Sequence, residues 1–186
     1  VRERALDLAA DRGTLRGLVT AVLAESRGPL EKLHEGDVTA VLDVQTVAAW
    51  RWSASMVQRG VSPDGASVVH VSSVHAERAA QGMAAYGMAK ASLGALARAS
   101  ALEWGPLGVR CNVVMPGFVP VDRNAHRWSE PSAAKSMLAH HPLGRFVSPE
   151  DVAAVVSFLL SEESRAVTGV CLPVDGGMLS MLPGWA

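Results

Sequence analysis

Aromatic side chains are scarce. They make up 5% of the 186 residues, while hydrophobic residues reach 49%, so the core must be built mostly from Ala, Val and Leu. An excess of one charge sign is also missing. The formal net charge is −1 and there is no basic cluster, which argues against a nucleic-acid partner. No apolar run approaches the roughly 18–20 residues that a membrane span requires. Val1 to Leu15 is charged throughout, unlike a signal peptide. Only two cysteines occur, Cys111 and Cys171, with no C-x-x-C or zinc spacing. They fall on separate predicted strands. Reduced thiols in a cytoplasmic protein are expected, and a disulfide between neighbouring strands is the alternative. His75, His140 and His141 have no carboxylate or second ligand at metal spacing, so no metal site is expected. The length fits a single domain, 1–186, able to bury a substantial core.

The stretch Val68 to Lys90, VVHVSSVHAERAAQGMAAYGMAK, carries the chemistry. A β-branched run ends in a serine pair, and a helix-prone run then brings Tyr86 and Lys90. Those two are four apart, hence stacked on one helix face. Ser73 lies at the carboxyl end of its strand, where open α/β sheets bind ligands. A phenol with an ordinary pKa near 10 is a poor proton carrier at neutral pH. A nearby ammonium favours the phenolate and makes it a usable acid or base for a carbonyl/alcohol pair. A bare Y-x-x-x-K is common by chance, with the tyrosine in a core and the lysine in water. Here Tyr86 is the only tyrosine, and the strand-ending serines precede it.

The remaining pattern alternates helices and apolar strands. A helix is expected over Val1 to Arg12, stopped by Gly13, and a doubly buried strand over Leu15 to Ala24. Glu25 to Gly36 reads as a loop. Asp37 is the expected cap of a helix running to about Arg59, and Ser62 to Gly65 is a turn. Ala66 to Ser72 is a strand and Ala84 to Trp104 a long helix, in which the small residues Gly87, Ala91, Gly94 and Ala95 would let a second helix approach closely. A strand follows over Val109 to Val114, ended by Pro116 and Gly117. Val119 to His141 is irregular or weakly helical. Ser148 caps a helix starting at Pro149, Cys171 to Val174 is the last strand, and Leu179 to Ala186 is a short apolar tail.

The Ser73, Tyr86, Lys90 spacing resembles the catalytic set of the short-chain dehydrogenase/reductase family. Gly108 to Phe118 (GVRCNVVMPGF) resembles that family's strand and Pro-Gly turn. Pro142 to Gly177 resembles its closing helix and last strand. The resemblance implies an α/β fold, a partial Rossmann-like doubly wound parallel sheet with about four strands, flanked by helices. It implies a cofactor, NAD or NADP, and a ketone or secondary alcohol as the small-molecule substrate. Ser73, Tyr86, Lys90 and Gln45 would be catalytic. Lys90, Tyr86, Pro116, Gly117 and Val119 would contact the cofactor. The protein would be cytoplasmic, with no membrane or nucleic-acid partner.

The departures fall on the cofactor side. No G-x-x-x-G-x-G or G-x-G-x-x-G turn occurs near the start, so the pyrophosphate-binding part of the family fold is not matched. Two βα units and a strand, roughly 60–70 residues at about 30 per unit, have no counterpart. The family's Asn-Asn-Ala-Gly falls on Thr20 to Leu23, and Leu23 would crowd the cofactor. Its catalytic Asn falls on Gln45, and a cofactor-bonding Thr falls on Val121. Two readings follow: an oxidoreductase, or a non-catalytic partner subunit lacking its own cofactor site. A small-molecule binder is a third. Without neighbouring strands Leu15 to Ala24 becomes an apolar sheet edge. That predicts a homo-dimer or tetramer, or a hetero-oligomer with a complete family member, rather than a stable monomer.

Overall fold

The computed structural model describes residues 2–11, 13–62 and 64–182. Four parallel strands form one sheet in the order β1-β2-β3-β4. They are β1 (Gly17–Thr20), β2 (Ala66–Val71), β3 (Val109–Pro116) and β4 (Cys171–Val174). The helices are α1 (Arg2–Ala10), α2 (Glu35–Leu42), α3 (Ala48–Gln58), α4 (Ala84–Trp104), α5 (Pro131–Leu138) and α6 (Pro149–Leu160). Among the described residues, no helix is long and apolar enough to cross a membrane.

The sheet is apolar on both faces, as a parallel sheet covered on two sides must be. On one face Val68, Val109, Cys111, Val113 and Met115 pack against Ala49 and Met56 of α3 and Leu93 and Ala97 of α4. On the other, Val69 and Val114 pack against Leu159 of α6. The alternation along β2 and β3 is the period of two that a strand imposes. Ser148 and Asp151 close a reciprocal capping box at the start of α6, with Asp151 N to Ser148 Oγ at 3.2 Å and Ser148 N to Asp151 Oδ2 at 2.8 Å. The turn before β2 keeps a Gly65 N to Ser62 O bond of 2.7 Å. Gly65 has φ +84°, and a Cβ there would lie 2.6 Å from the Gly108 carbonyl oxygen, so no other residue fits.

Several expected boundaries move. β1 is four residues, not Leu15 to Ala24. Beyond Thr20 the chain leaves the ladder, and the Val22 and Ala24 carbonyls accept side-chain bonds from Lys90 and Gln45 instead. Asp37 is not the cap of α2. The helix begins at Glu35 after an extended His34, and Asp37 lies in its first turn, where its charge suits the dipole. The expected continuous helix to Arg59 is interrupted by a π turn at Asp43–Val47. β3 runs on to Pro116. Helices Ala84–Trp104 and strand Cys171–Val174 have the expected limits. The 119–141 segment holds a 3-10 stretch at Asp122–Arg127 and then α5. Both cysteines are free. Val1, Arg12, Pro63 and the end of the expected tail, 183–186, lie outside the described residues.

The neighbour at Gly94 is the last strand rather than the expected second helix. A Cβ at Gly94 would sit 2.9 Å from Cys171 Sγ. Gly94→Ala should therefore lower stability by about 1–3 kcal/mol, although alanine is favoured in a helix by about 1 kcal/mol. Adding Cys171→Ala should recover most of the loss in chemical denaturation. An additive or worse double variant would refute the contact.

Candidate active site

Three elements meet at the carboxyl end of β2. The strand delivers Ser72 and Ser73, the first turns of α4 deliver Tyr86 and Lys90, and the segment after β1 delivers backbone carbonyls. Ser72 Oγ donates to the Lys90 carbonyl at 2.8 Å and so pins α4 to the strand end. Ser73 is extended, and its Oγ accepts from His75 N at 3.3 Å. The His75 ring stands edge-on to Tyr86, with centroids 5.7 Å apart.

Lys90 is 3% exposed. Its Nζ donates to Val71 O at 2.9 Å and Val22 O at 3.2 Å, and lies 5.6 Å from the Tyr86 ring centroid. Burial pushes its pKa down to about 8. The Tyr86 pKa is raised, and burial is again the largest cause. A hydrogen bond with Ser73 pulls it down, the Glu25 carboxylate raises it and the Arg123 guanidinium lowers it. The expectation that Lys90 would carry the phenol below its usual value is not met. In this site loss of water outweighs the favourable contacts.

Ser73, Tyr86 and Lys90 thus come together. Gln45 joins them only through backbone. It sits in the π turn, 1% exposed, and its Nε2 donates to Ala24 O at 2.5 Å. Val22 and Ala24 therefore serve as adjacent anchors for Lys90 and Gln45. Gln45 Oε1 is buried without a partner among the described residues. Thr46 fixes the same turn to α4 through Ser92 Oγ at 2.7 Å. Leu23, expected to crowd the cofactor side, is 43% exposed.

Pro116 ends β3. Gly117 N donates to Val174 O at 3.0 Å, and a Cβ at Gly117 would meet the Asp175 Cα at 2.9 Å. Backbone packing alone accounts for that glycine. Val119 and Val121 are braced by Asn124, whose Nδ2 donates to Val119 O at 2.8 Å and whose Oδ1 accepts from Val121 N at 2.9 Å. Among the described residues no group of three His, Cys, Asp or Glu side chains could hold a metal ion.

Two features were missed in the sequence. Asn124 gave no signal, because its partners are backbone atoms of an irregular segment. His70 gave one: it is a lone histidine in an apolar strand, and alternation aims it at the same face as Ser72. It is fully buried, its Nδ1 lies 2.8 Å from Thr20 Oγ1, and its Nε2 has no partner among the described residues. Burial, with Lys90 adding to it, lowers its pKa to about 4. The folded state therefore holds it neutral while the unfolded chain binds a proton below its model value of 6.5. Stability rises with pH wherever the unfolded state binds more protons, so this contribution is full above pH 6.5 and is lost as pH falls towards 4. The loss should amount to about 3 kcal/mol, at about 1.4 kcal/mol per pH unit. Denaturation of the wild type and His70→Asn across pH 4–7 measures it. Parallel profiles would refute the assignment.

Comparison with known proteins agrees with this fold. The family model described as Enoyl-(Acyl carrier protein) reductase matches residues 2–179. The L-xylulose reductase of Mus musculus is 38% identical over 144 residues, covering 77% of this chain and 56% of the relative. The chain thus spans little more than half of that protein. An L-rhamnose 1-dehydrogenase (NAD(P)(+)) of Azotobacter vinelandii is 38% identical over 114 residues, covering 61% of this chain and 44% of the relative. Among solved structures, a short-chain type dehydrogenase/reductase from Mycobacterium ulcerans superposes with a TM-score of 0.89 at 29% identity, covering 96% of this chain and 66% of that one. With a family match along nearly its whole length, and the sheet and helices of that family around the Ser-Tyr-Lys cluster, this chain belongs to the short-chain dehydrogenase/reductase family.

Proposed function

We propose that the protein is an oxidoreductase that moves a hydride between NAD or NADP and a ketone or secondary alcohol. The observation that carries this reading is the cluster at the carboxyl end of β2, where buried Lys90 Nζ lies 5.6 Å from the Tyr86 ring centroid and His75, two residues past Ser73, stands edge-on to that ring. A bound nicotinamide would supply or accept the hydride. Tyr86 Oη gives its proton to the substrate oxygen in reduction and takes it back in oxidation, and Ser73 holds that oxygen. Lys90 has three donors, of which two are taken by Val22 O and Val71 O, so the third remains for a ribose hydroxyl. The nicotinamide-ribose end therefore fits the residues present, with Pro116, Gly117 and Val119 beside it. The 186 residues contain no Gly-rich turn for the pyrophosphate. Gln45 would orient a water behind Lys90. The relatives named for sugar reduction and oxidation support the reaction class. The free thiols suit the cytoplasm.

A second reading has its own support. A phenol with a raised pKa and replacements at Thr20 to Leu23, Gln45 and Val121 fit a non-catalytic subunit that assembles with a complete family member. Titration of the full chain with NADH and NADPH, followed by cofactor fluorescence, separates the two. Saturable binding is expected. Tyr86→Phe should then leave binding intact while turnover of a ketone falls by about 10²–10⁴. A folded chain that binds neither cofactor would favour the partner subunit.

Assembly is part of the proposal. β1 is a sheet edge, and Val19 in it and Val22 and Leu23 just beyond it are each at least 41% exposed. An exposed apolar edge of this kind recruits another strand. Light scattering of the full chain should report a dimer or larger species. A monodisperse monomer at working concentration would overturn this.

A further inference from the structure

His75 stands beside both Ser73 and Tyr86. It lies in the 3-10 turn Val74–Ala76, which follows the strand end that delivers Ser73. Its backbone N donates to Ser73 Oγ at 3.3 Å. That bond fills one acceptor position of the hydroxyl and leaves its O–H for a ligand. The His75 ring meets the Tyr86 ring at 5.7 Å between centroids and 79° between planes. The main chain is held on both sides of it. Ala76 N donates to Ser73 O and Arg78 N to Val74 O, each at 3.0 Å. The His75 carbonyl packs so close to α4 that a Cβ at Gly87 would lie 3.2 Å from it. The imidazole is therefore a fixed part of the wall around the phenol.

Its two ring nitrogens are not equivalent. Nδ1 lies 3.3 Å from Arg78 O. A carbonyl oxygen only accepts, so Nδ1 carries the hydrogen, and in the neutral ring Nε2 keeps a lone pair. Nε2 makes no hydrogen bond among the described residues. The half-buried ring thus offers an acceptor next to the Tyr86 ring. Packing on Tyr86 requires only a flat ring, which phenylalanine would supply, so the open nitrogen has no use in that contact. Ser73 and Tyr86 both bring O–H donors to one substrate oxygen. A simple ketone or mono-alcohol would engage them and leave Nε2 to water. A substrate with a hydroxyl on the neighbouring carbon has a donor for it as well.

We propose that His75 is a specificity-determining residue of this site, its Nε2 accepting a hydrogen bond from a second substrate hydroxyl, and that the substrates are hydroxy ketones and vicinal diols. The inference rests on the hydride-transfer reading for the roles of Ser73 and Tyr86 and adds the substrate class.

The test titrates the full chain with 3-hydroxybutan-2-one, 3-methoxybutan-2-one and butan-2-one, with NADP present and absent. The methoxy ketone keeps the oxygen but has no hydrogen to donate. Binding is followed by nitrogen NMR of protein labelled in histidine, with the His75 signals assigned by their loss in His75→Gln. The hydroxy ketone should bind saturably and about three- to tenfold more tightly than either analogue, the range of a neutral hydrogen bond, and should move the Nε2 signal. His75→Phe keeps a ring against Tyr86 and should abolish the preference. His75→Gln supplies an amide oxygen and should retain part of it. Unchanged thermal melting of both variants separates recognition from folding. Equal affinity for the hydroxy and methoxy ketones, no saturable binding under either condition, or a preference that survives His75→Phe overturns the inference. NADPH oxidation is followed in parallel. Hydroxyl-dependent binding that is lost in His75→Phe, without NADPH oxidation, would leave the inference standing and remove the oxidoreductase reading. NADPH oxidation by all three ketones at equal KM would do the reverse.

Discussion

A buried ammonium held by two backbone carbonyls organises the functional end of this fold. Lys90 Nζ bonds Val71 O, at the end of β2, and Val22 O, just beyond β1. No carboxylate forms an ion pair with it among the described residues. An ion in such a place costs several kcal/mol in lost hydration, which carbonyl dipoles offset only in part. The lowering of its pKa to about 8 expresses the imbalance. The two carbonyls must then face the lysine rather than a neighbouring strand. That ends β1 early, ties the loop after β1 to α4, and holds Tyr86 one turn before Lys90 against Ser73.

The scarcity of aromatic residues belongs to the same geometry. The buried side of α4 is small: Leu93 and Ala97 lie on the sheet, Gly94 meets Cys171, and Ala85 and Ala89 pack against Val38, Val41 and Leu42 of α2. Such small residues let the helix sit close to β3 and β4. Close approach leaves little room for bulky rings. The polar groups His70, Gln45 and Lys90 all lie in the thin layer between the sheet and this helix side. Their burial is possible because Thr20 Oγ1, Ala24 O and Val22 O answer them from one short stretch of chain. The substitutions at Thr20 and Gln45, read in sequence as separate losses, are in space parts of one network.

Much of the architecture was legible in the sequence because its signals are local. Ser148 three residues before Asp151, the run from Ala84 to Trp104 and the alternation through Val109 to Val114 each declare an element within a few residues. The meeting of Ser73, Tyr86 and Lys90 was legible because a strand end and a helical i, i+4 pair fix it. What escaped depends on distant partners. The end of β1 is decided by residues 45 and 90, tens of positions away. The π turn at Asp43–Val47 has no local residue pattern that distinguishes it from α-helix. The sign of the phenol's pKa shift depends on how much water the fold removes, and sequence spacing carries no measure of that.

On the hydride-transfer reading, that sign bears on which direction of chemistry the site favours. A phenol whose pKa is raised is fully protonated at neutral pH, the state that a proton donor needs. Ketone reduction uses that state, whereas alcohol oxidation starts from the phenolate. The charges at the mouth act against each other here: Glu25 favours the neutral phenol and Arg123 the phenolate.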